Sequence, residues 1–245
     1  FTTGVPEHDW AKLVDNRETY IQRLNGIYAR NLDKDAVEFI AGDARFLGER
    51  RIAVGERELD ADHVVIATGG KPHWPDIPGA ALGTDSDGFF TWRERPNSVA
   101  IVGSGYIAVE LAGVLNALGS DVKLLLRKEH VIKGFDSMLG DTLIERMKEA
   151  GIDVQMNRST AELSEVGEQI RVDFEDGDSV TVDKLIWAIG RLPNTDNLDL
   201  ENTGVELAAD GTIEAEGLVK YEDKGNPTKA EIDATTFLKL KAPRG

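Results

Sequence analysis

The feature that most restricts this chain is the stretch VAIVGSGYIAVELAGVLNALGSDVKLLLRKEH at residues 99–130. Val99 to Val102 are all apolar and read as a strand. Tyr106 to Leu118 read as a helix ended by Gly119, and Asp121 to Leu126 as a second strand. A strand, helix and strand in this order make a βαβ unit, which implies a parallel sheet with helices packed on it. Between the first strand and the helix, Gly103, Gly105 and Ala108 form G-x-G-x-x-A. The first glycine permits a tight turn, the second lets the backbone approach a pyrophosphate, and the small Ala108 lets helix and strand pack closely. The helix start then offers unpaired N–H groups and about half a positive charge to the phosphates. An ordinary glycine turn is the alternative, and the strand-turn-helix-strand setting favours dinucleotide binding over it.

Which dinucleotide is bound is decided at the end of the second strand. There an NAD site carries a carboxylate for the ribose 2′-hydroxyl, and an NADP site carries Arg for the 2′-phosphate. Here the strand runs out through Leu125, Leu126, Arg127 and Lys128, with Lys133 shortly after. A doubly charged phosphate suits this cluster better than a hydroxyl, so the expected ligand is NADPH. Arg127 is expected to carry more of the preference than Lys133, because guanidinium binds phosphate as a fork and ammonium as a point charge. Glu129 lies inside the cluster and weakens it. A solvated basic loop is the competing reading.

Around this unit the chain alternates elements. Apolar residues from Trp10 to Tyr28 recur at three- and four-residue steps, predicting an amphipathic helix over residues 9–31. AVEFIAGDARFLG and RRIAVGERELDADHVVIATGG read as strands and a small meander, with VVIA a strand buried on both faces of a parallel sheet. KPHWPDIPGAALGTDSDGFF, interrupted by Pro72, Pro75 and Pro78, reads as an irregular connection between domains. A further helix is expected over residues 137–150, a hairpin around EDGD, and a buried strand in LIWAIG. Beyond Ile213 no period is recognisable.

Composition narrows the function classes. A formal charge of −16 argues against nucleic acid or an anionic membrane as partner. The absence of any long apolar run or charged-then-apolar leader gives an expectation of a cytoplasmic chain. The sequence has no cysteine, which removes disulfides, thiolate metal sites and thiol redox chemistry. His8, His63, His73 and His130 are scattered without zinc or triad spacing. Ser104 does not lie in G-x-S-x-G, and Asp85, Asp87 and Gly88 are only a piece of a calcium loop.

Taken together, LNGIYARNL, GDARF, ADHVVIATGGKP, DSDGFF, VAIVGSGYIAVELAGVL, LLLRKEHVIKGFD and LIWAIGRLPNTDNL resemble the flavin-dependent disulfide reductases. SDGFF, GYIAVELAGV and LLLRK point to the glutathione reductase branch, and the likeness runs from about Asp9 to Ile213. The resemblance implies an α/β fold: a Rossmann-like NAD(P)-binding domain with a parallel sheet and a β-meander, joined to part of a similar FAD-binding domain. The expected domains are residues 1–94 (partial FAD-binding), 95–212 (NADP-binding) and 213–245 (a remnant resembling the C-terminal dimer-interface domain). It further implies NADPH-dependent reduction of oxidised glutathione through FAD, by a homodimer. A reductase of another disulfide, such as trypanothione or a glutathione amide, and an NADP-binding fragment without turnover remain open.

Carried over by motif, Ser104, Ile107, Glu110 and Gly190 would line the NADPH site and Tyr106 would cover the nicotinamide pocket. Arg127 and Lys133 would take the 2′-phosphate, although the family usually has Arg at the position of Lys133. Ala44, Thr68, Gly69 and Arg191 would contact FAD, and Tyr28 would lie near the glutathione site. The family's first βαβ unit, its C-x-x-x-x-C redox pair and its His-Glu acid/base pair have no counterpart here, so no catalytic residue is assigned. PTKAEIDATT and FLKLKAPRG resemble pieces that flank the family's His-Pro motif. The expectation is therefore a set of segments from a longer reductase rather than a deleted chain, because loss of one βαβ unit would expose sheet edges and an apolar face.

Overall fold

The computed structural model describes residues 8–214. The elements are α1 (Trp10–Lys34), β1 (Ala44–Gly48), β2 (Arg51–Val54), β3 (Arg57–Asp60), β4 (Gly70–Pro72), α2 (Ser86–Phe89), β5 (Ser98–Val102), α3 (Tyr106–Ala117) and β6 (Asp121–Leu125). They continue with α4 (Ser137–Glu149), β7 (Asp153–Gln155), β8 (Thr160–Val166), β9 (Gln169–Phe174), β10 (Ser179–Val182), β11 (Lys184–Trp187) and β12 (Arg191–Pro193). The chain makes two compact units. One holds the described residues through Val37 together with Pro72–Arg191; the other holds Glu38–Lys71 and the described residues from Leu192 on.

The first unit is built on a four-stranded parallel sheet in the order β11–β5–β6–β7. Its two adjacent strands β5 and β11 are near-continuous apolar runs, as strands covered on both faces are. Val99, Ile101, Val122, Leu124 and Ile186 face a layer that includes Ala108, Ala112 and Leu115 of α3 and Ile144 and Met147 of α4. Ala100, Val102, Leu125, Leu185 and Trp187 face Leu163, Val172 and Val182 of the antiparallel sheet β10–β9–β8. The amino ends of β5 and β11 are joined by Asp183, whose carboxylate accepts from the amides of Asn97 (2.9 Å) and Ser98 (3.0 Å) and from Gln169 (2.8 Å). The expected hairpin is present, with Ser179 opposite Asp173 and Gly177 at φ +89°. The helix over residues 137–150 is α4, capped by Asp136, and Gly151 beyond it has φ +95°.

Helix α1 begins where Asp9 accepts the amide of Lys12 at 2.9 Å, a side-chain N-cap. Trp10 and Val14 are its buried residues. Trp10 stands edge-on to Phe89 and donates to the Trp92 carbonyl at 3.2 Å. These contacts group α1 with the sheet-bearing unit.

In the second unit β1, β2 and β3 form the expected antiparallel meander, while residues 36–42 of AVEFIAG take no strand. Phe46, Leu198 and Leu200 are its buried centre, with Ile52, Val64, Ile66 and Val205 against them. VVIA is not a doubly buried strand: Val64 and Ile66 turn toward the Phe46 cluster, whereas Val65 is 81% exposed. A parallel strand needs neighbours for its N–H and C=O groups, and among the described residues this segment has none on the sheet.

The connection after VVIA is less irregular than expected. Asp85 accepts the amides of Asp87 and Gly88, each at 3.0 Å, and so caps the one-turn helix α2. The tail beyond Glu214, on which the interface-domain reading rested, lies outside the described residues. No helix among those described is long and apolar enough to cross a membrane, and they contain no cluster of three or more His, Asp or Glu that could hold a metal.

Candidate functional site

The candidate site sits at the carboxyl edge of the parallel sheet. From β5 the sheet grows through β6 and β7 to one side, and β11 is added later on the other. The carboxyl end of β5 is therefore the point where the winding direction reverses, which is where open α/β sheets leave a ligand crevice.

Gly103 leaves β5 at φ +146°. A Cβ there would stand 2.2 Å from the carbonyl oxygen of Ala188, so only glycine lets the chain turn beside the end of β11. Its amide donates to the Leu125 carbonyl at 3.1 Å, fixing the turn to the end of β6. Gly105 is different. It is the N-cap of α3 in an extended conformation, and a Cβ at this position would meet nothing within 4 Å. No side chain caps the helix, and the amides of its first turn are left to an external acceptor. Ala108 is fully buried against the strand layer, as close packing of helix on sheet requires.

Ser104 is half-buried, and its carbonyl accepts the amide of Ile132 at 2.7 Å. Tyr106 is 61% exposed, and Glu110, one helical turn on, is exposed on the same face of α3. Ile107 packs on the core beneath. Gly190 lies just past β11 at φ +133°, exposed, with its carbonyl accepting the His73 amide at 2.9 Å.

Arg127, Lys128 and Lys133 are all exposed on the loop that follows β6. None of these three side chains has a hydrogen-bond or ion-pair partner among the described residues. Glu129, between them, does not neutralise the cluster; its carboxylate accepts from the Asn157 side-chain amide at 3.2 Å. In an otherwise acidic chain this is a local concentration of unpaired positive charge, on the loop that Ile132 ties to the Gly103–Gly105 turn.

Ala44, Thr68 and Gly69 are exposed residues of the second unit, Arg191 is an exposed residue at the start of β12, and Tyr28 is 62% exposed on α1. Gly69, at φ +67°, accepts the Asn194 amide at 2.9 Å through its carbonyl. Ala44, Thr68, Gly69 and Arg191 bring no second glycine turn with a helix start, so by themselves they supply no phosphate cradle for a flavin.

Two contributors escaped the sequence reading. Ile132 and Asn157 both have left-handed backbones, φ +45° and +58°, and both act on the basic loop through contacts distant in sequence. The Asn is a residue type that tolerates this conformation, which was a faint signal; Ile132 gave none.

The family model described as pyridine nucleotide-disulphide oxidoreductase matches residues 3–224. The chain is 41% identical over 231 residues to a glutathione reductase of Schizosaccharomyces pombe, covering 90% of this chain and 49% of that protein. A glutathione reductase of Yarrowia lipolytica is 40% identical over 222 residues, covering 85% and 47%. Among solved structures, the HOCl-induced flavoprotein disulfide reductase RclA from Escherichia coli superposes with a TM-score of 0.81 at 26% identity, covering 86% of this chain and 49% of that one. The chain thus spans about half the length of the relatives it matches.

Proposed function

The chain belongs to the pyridine nucleotide-disulphide oxidoreductase family, and on that basis we propose that it is the NADPH-binding part of a flavoprotein disulfide reductase acting on oxidised glutathione. The observation that carries the nucleotide choice is the unpaired basic loop of Arg127, Lys128 and Lys133, next to the Gly103 turn and without a free carboxylate beside it. The substrate assignment is supported by the two glutathione reductases that match most of the chain.

In this reading Gly105 gives the pyrophosphate its approach, and the uncapped start of α3 meets it with N–H groups and the positive end of the helix dipole. Arg127 holds the 2′-phosphate as a fork, and Lys133 adds a point charge from the same loop. Ser104, Ile107 and Gly190 line the cleft. Tyr106 screens the nicotinamide end from water, and Glu110, one turn further along α3, faces the same opening. Bound NADPH supplies a hydride, while the protein contributes binding, orientation and exclusion of water.

The family uses FAD beside NADPH. Ala44, Thr68, Gly69 and Arg191 are proposed as flavin contacts within this chain and Tyr28 as a glutathione contact. With no cysteine in the 245 residues, these residues hold no dithiol to pass electrons to a disulfide. Turnover is accordingly proposed for the whole reductase, as is a cytoplasmic homodimer on the likeness to the glutathione branch. The missing thiols also favour a second reading, an NADP-binding module that does not turn over.

The deciding experiment is to purify the protein, record its visible spectrum and follow NADPH oxidation with oxidised glutathione, trypanothione disulfide and a glutathione amide disulfide. A yellow protein that turns over with oxidised glutathione supports the reductase. Colourless protein that binds NADPH without turnover supports the module, and turnover only with another disulfide reassigns the substrate.

A further inference from the structure

We infer that Asn157 is a specificity-determining positioning residue that secures the choice of NADPH by engaging the Glu129 carboxylate in place of the neighbouring cations of the basic loop. This rests on the reading of the Gly103 turn as an NADPH site. Glu129 is the one carboxylate in the run from Arg127 to Lys133, adjacent to Lys128 and two residues from Arg127. Without a partner of its own, its carboxylate could act against a phosphate ligand in two ways. It could pair with Arg127 or Lys128 and cancel the charge offered to the 2′-phosphate, or it could offer the acceptor that a ribose 2′-hydroxyl prefers.

In the structure it does neither. Its Oε1 accepts from Asn157 Nδ2 at 3.2 Å, and Arg127, Lys128 and Lys133 stay unpaired. A neutral amide is suited to this task, since it satisfies the carboxylate without adding a cation that would compete for the phosphate.

Asn157 is well held for the purpose. It follows β7, and the backbone on both sides is bonded to the end of β6: Leu126 donates to the Gln155 carbonyl and Arg158 donates to the Leu126 carbonyl, each at 2.8 Å. Its own φ of +58° is a conformation that Asn and Gly accept and most residues resist. The amide is therefore aimed from a fixed point, while Glu129 sits on the exposed loop it restrains.

The test compares NADPH and NADH dissociation constants for the full protein and for Asn157→Gly, Asn157→Asp, Glu129→Gln and the double variant Asn157→Gly with Glu129→Gln. Gly keeps the left-handed backbone and removes the amide; Asp keeps the shape and repels Glu129, and thermal melting confirms that each variant is folded. Both Asn157 variants should weaken NADPH by roughly fivefold, the change expected when an exposed ion pair worth about 1 kcal/mol competes for the cations. NADH binding should hold or tighten. Adding Glu129→Gln should restore NADPH affinity, which a purely structural role for Asn157 would not allow. An unchanged NADPH-to-NADH ratio in Asn157→Gly and Asn157→Asp, or a loss that Glu129→Gln fails to rescue, overturns the inference. A wild-type protein with no preference for NADPH would instead overturn the underlying site reading.

Discussion

The backbone amide of Ile132 donates to the carbonyl of Ser104 at 2.7 Å, tying the loop that bears Arg127 and Lys133 to the turn between Gly103 and Gly105. Ile132 makes this bond at φ +45°, a region β-branched residues seldom enter and one that costs about 1–3 kcal/mol. Its half-buried side chain packs on the main core, which offsets part of that cost. The two halves of the proposed site, pyrophosphate and 2′-phosphate, are thus one mechanical unit. Ile132→Pro, which has no N–H and cannot reach this φ, should weaken NADPH binding well beyond any change in Ile132→Gly, which keeps the amide. Equilibrium titration of both variants checks this.

The basic loop should act on one ligand and spare the other. Arg127→Ala is expected to weaken NADPH by roughly tenfold or more, the scale of a lost charge-assisted hydrogen bond, with NADH unchanged. Lys133→Ala should cost less, and Lys133→Arg should tighten NADPH by adding a fork. Raising salt should weaken NADPH more than NADH, because only the former relies on these exposed charges. Titrations at two ionic strengths give all of these values.

The two glycines of the turn should fail in different ways. Gly103→Ala places a Cβ 2.2 Å from the Ala188 carbonyl oxygen, so it should destabilise the fold and lower the melting temperature. Gly105→Ala has open space and an ordinary φ of −80°, so the protein should melt near the wild-type temperature yet bind nucleotide poorly. Melting curves with and without NADPH separate the two effects.

Asp183 gives the fold a pH dependence with a definite sign. The Gln169 hydrogen bond, with those from the backbone of Ser98 and Asn97, holds its carboxyl below the ordinary carboxylate range against the opposing effect of burial. The folded state binds fewer protons there than the unfolded state, so the stabilisation is present above the unfolded value of about 4 and is lost as pH falls through the folded one. Denaturant titrations from neutral pH downward should show this loss, and Asp183→Asn should show a lower neutral-pH stability with a flatter acid limb.

Local chemistry made much of this legible. The βαβ unit, the Asp-Gly hairpin and the helix α1 each announce themselves locally, through a glycine pattern, a turn dipeptide or a period. VVIA misled because an apolar run states a capacity for burial and says nothing about whether strands lie beside it; Val65 is left exposed. The short helix α2 was hidden in a segment dominated by its prolines, although Asp85 supplied a recognisable cap. The ties that shape the candidate site, Ile132 to Ser104 and Asn157 to Glu129, join residues 28 positions apart in each case. No local pattern reports such pairs; they form only once the chain is folded.

Side-by-side measurement of NADPH and NADH dissociation constants for the wild-type protein at low salt decides whether the basic loop selects the nucleotide. NADPH should bind tighter by roughly tenfold or more, with the margin collapsing in Arg127→Ala. Equal affinity for the two nucleotides, or binding of neither, would contradict that selection.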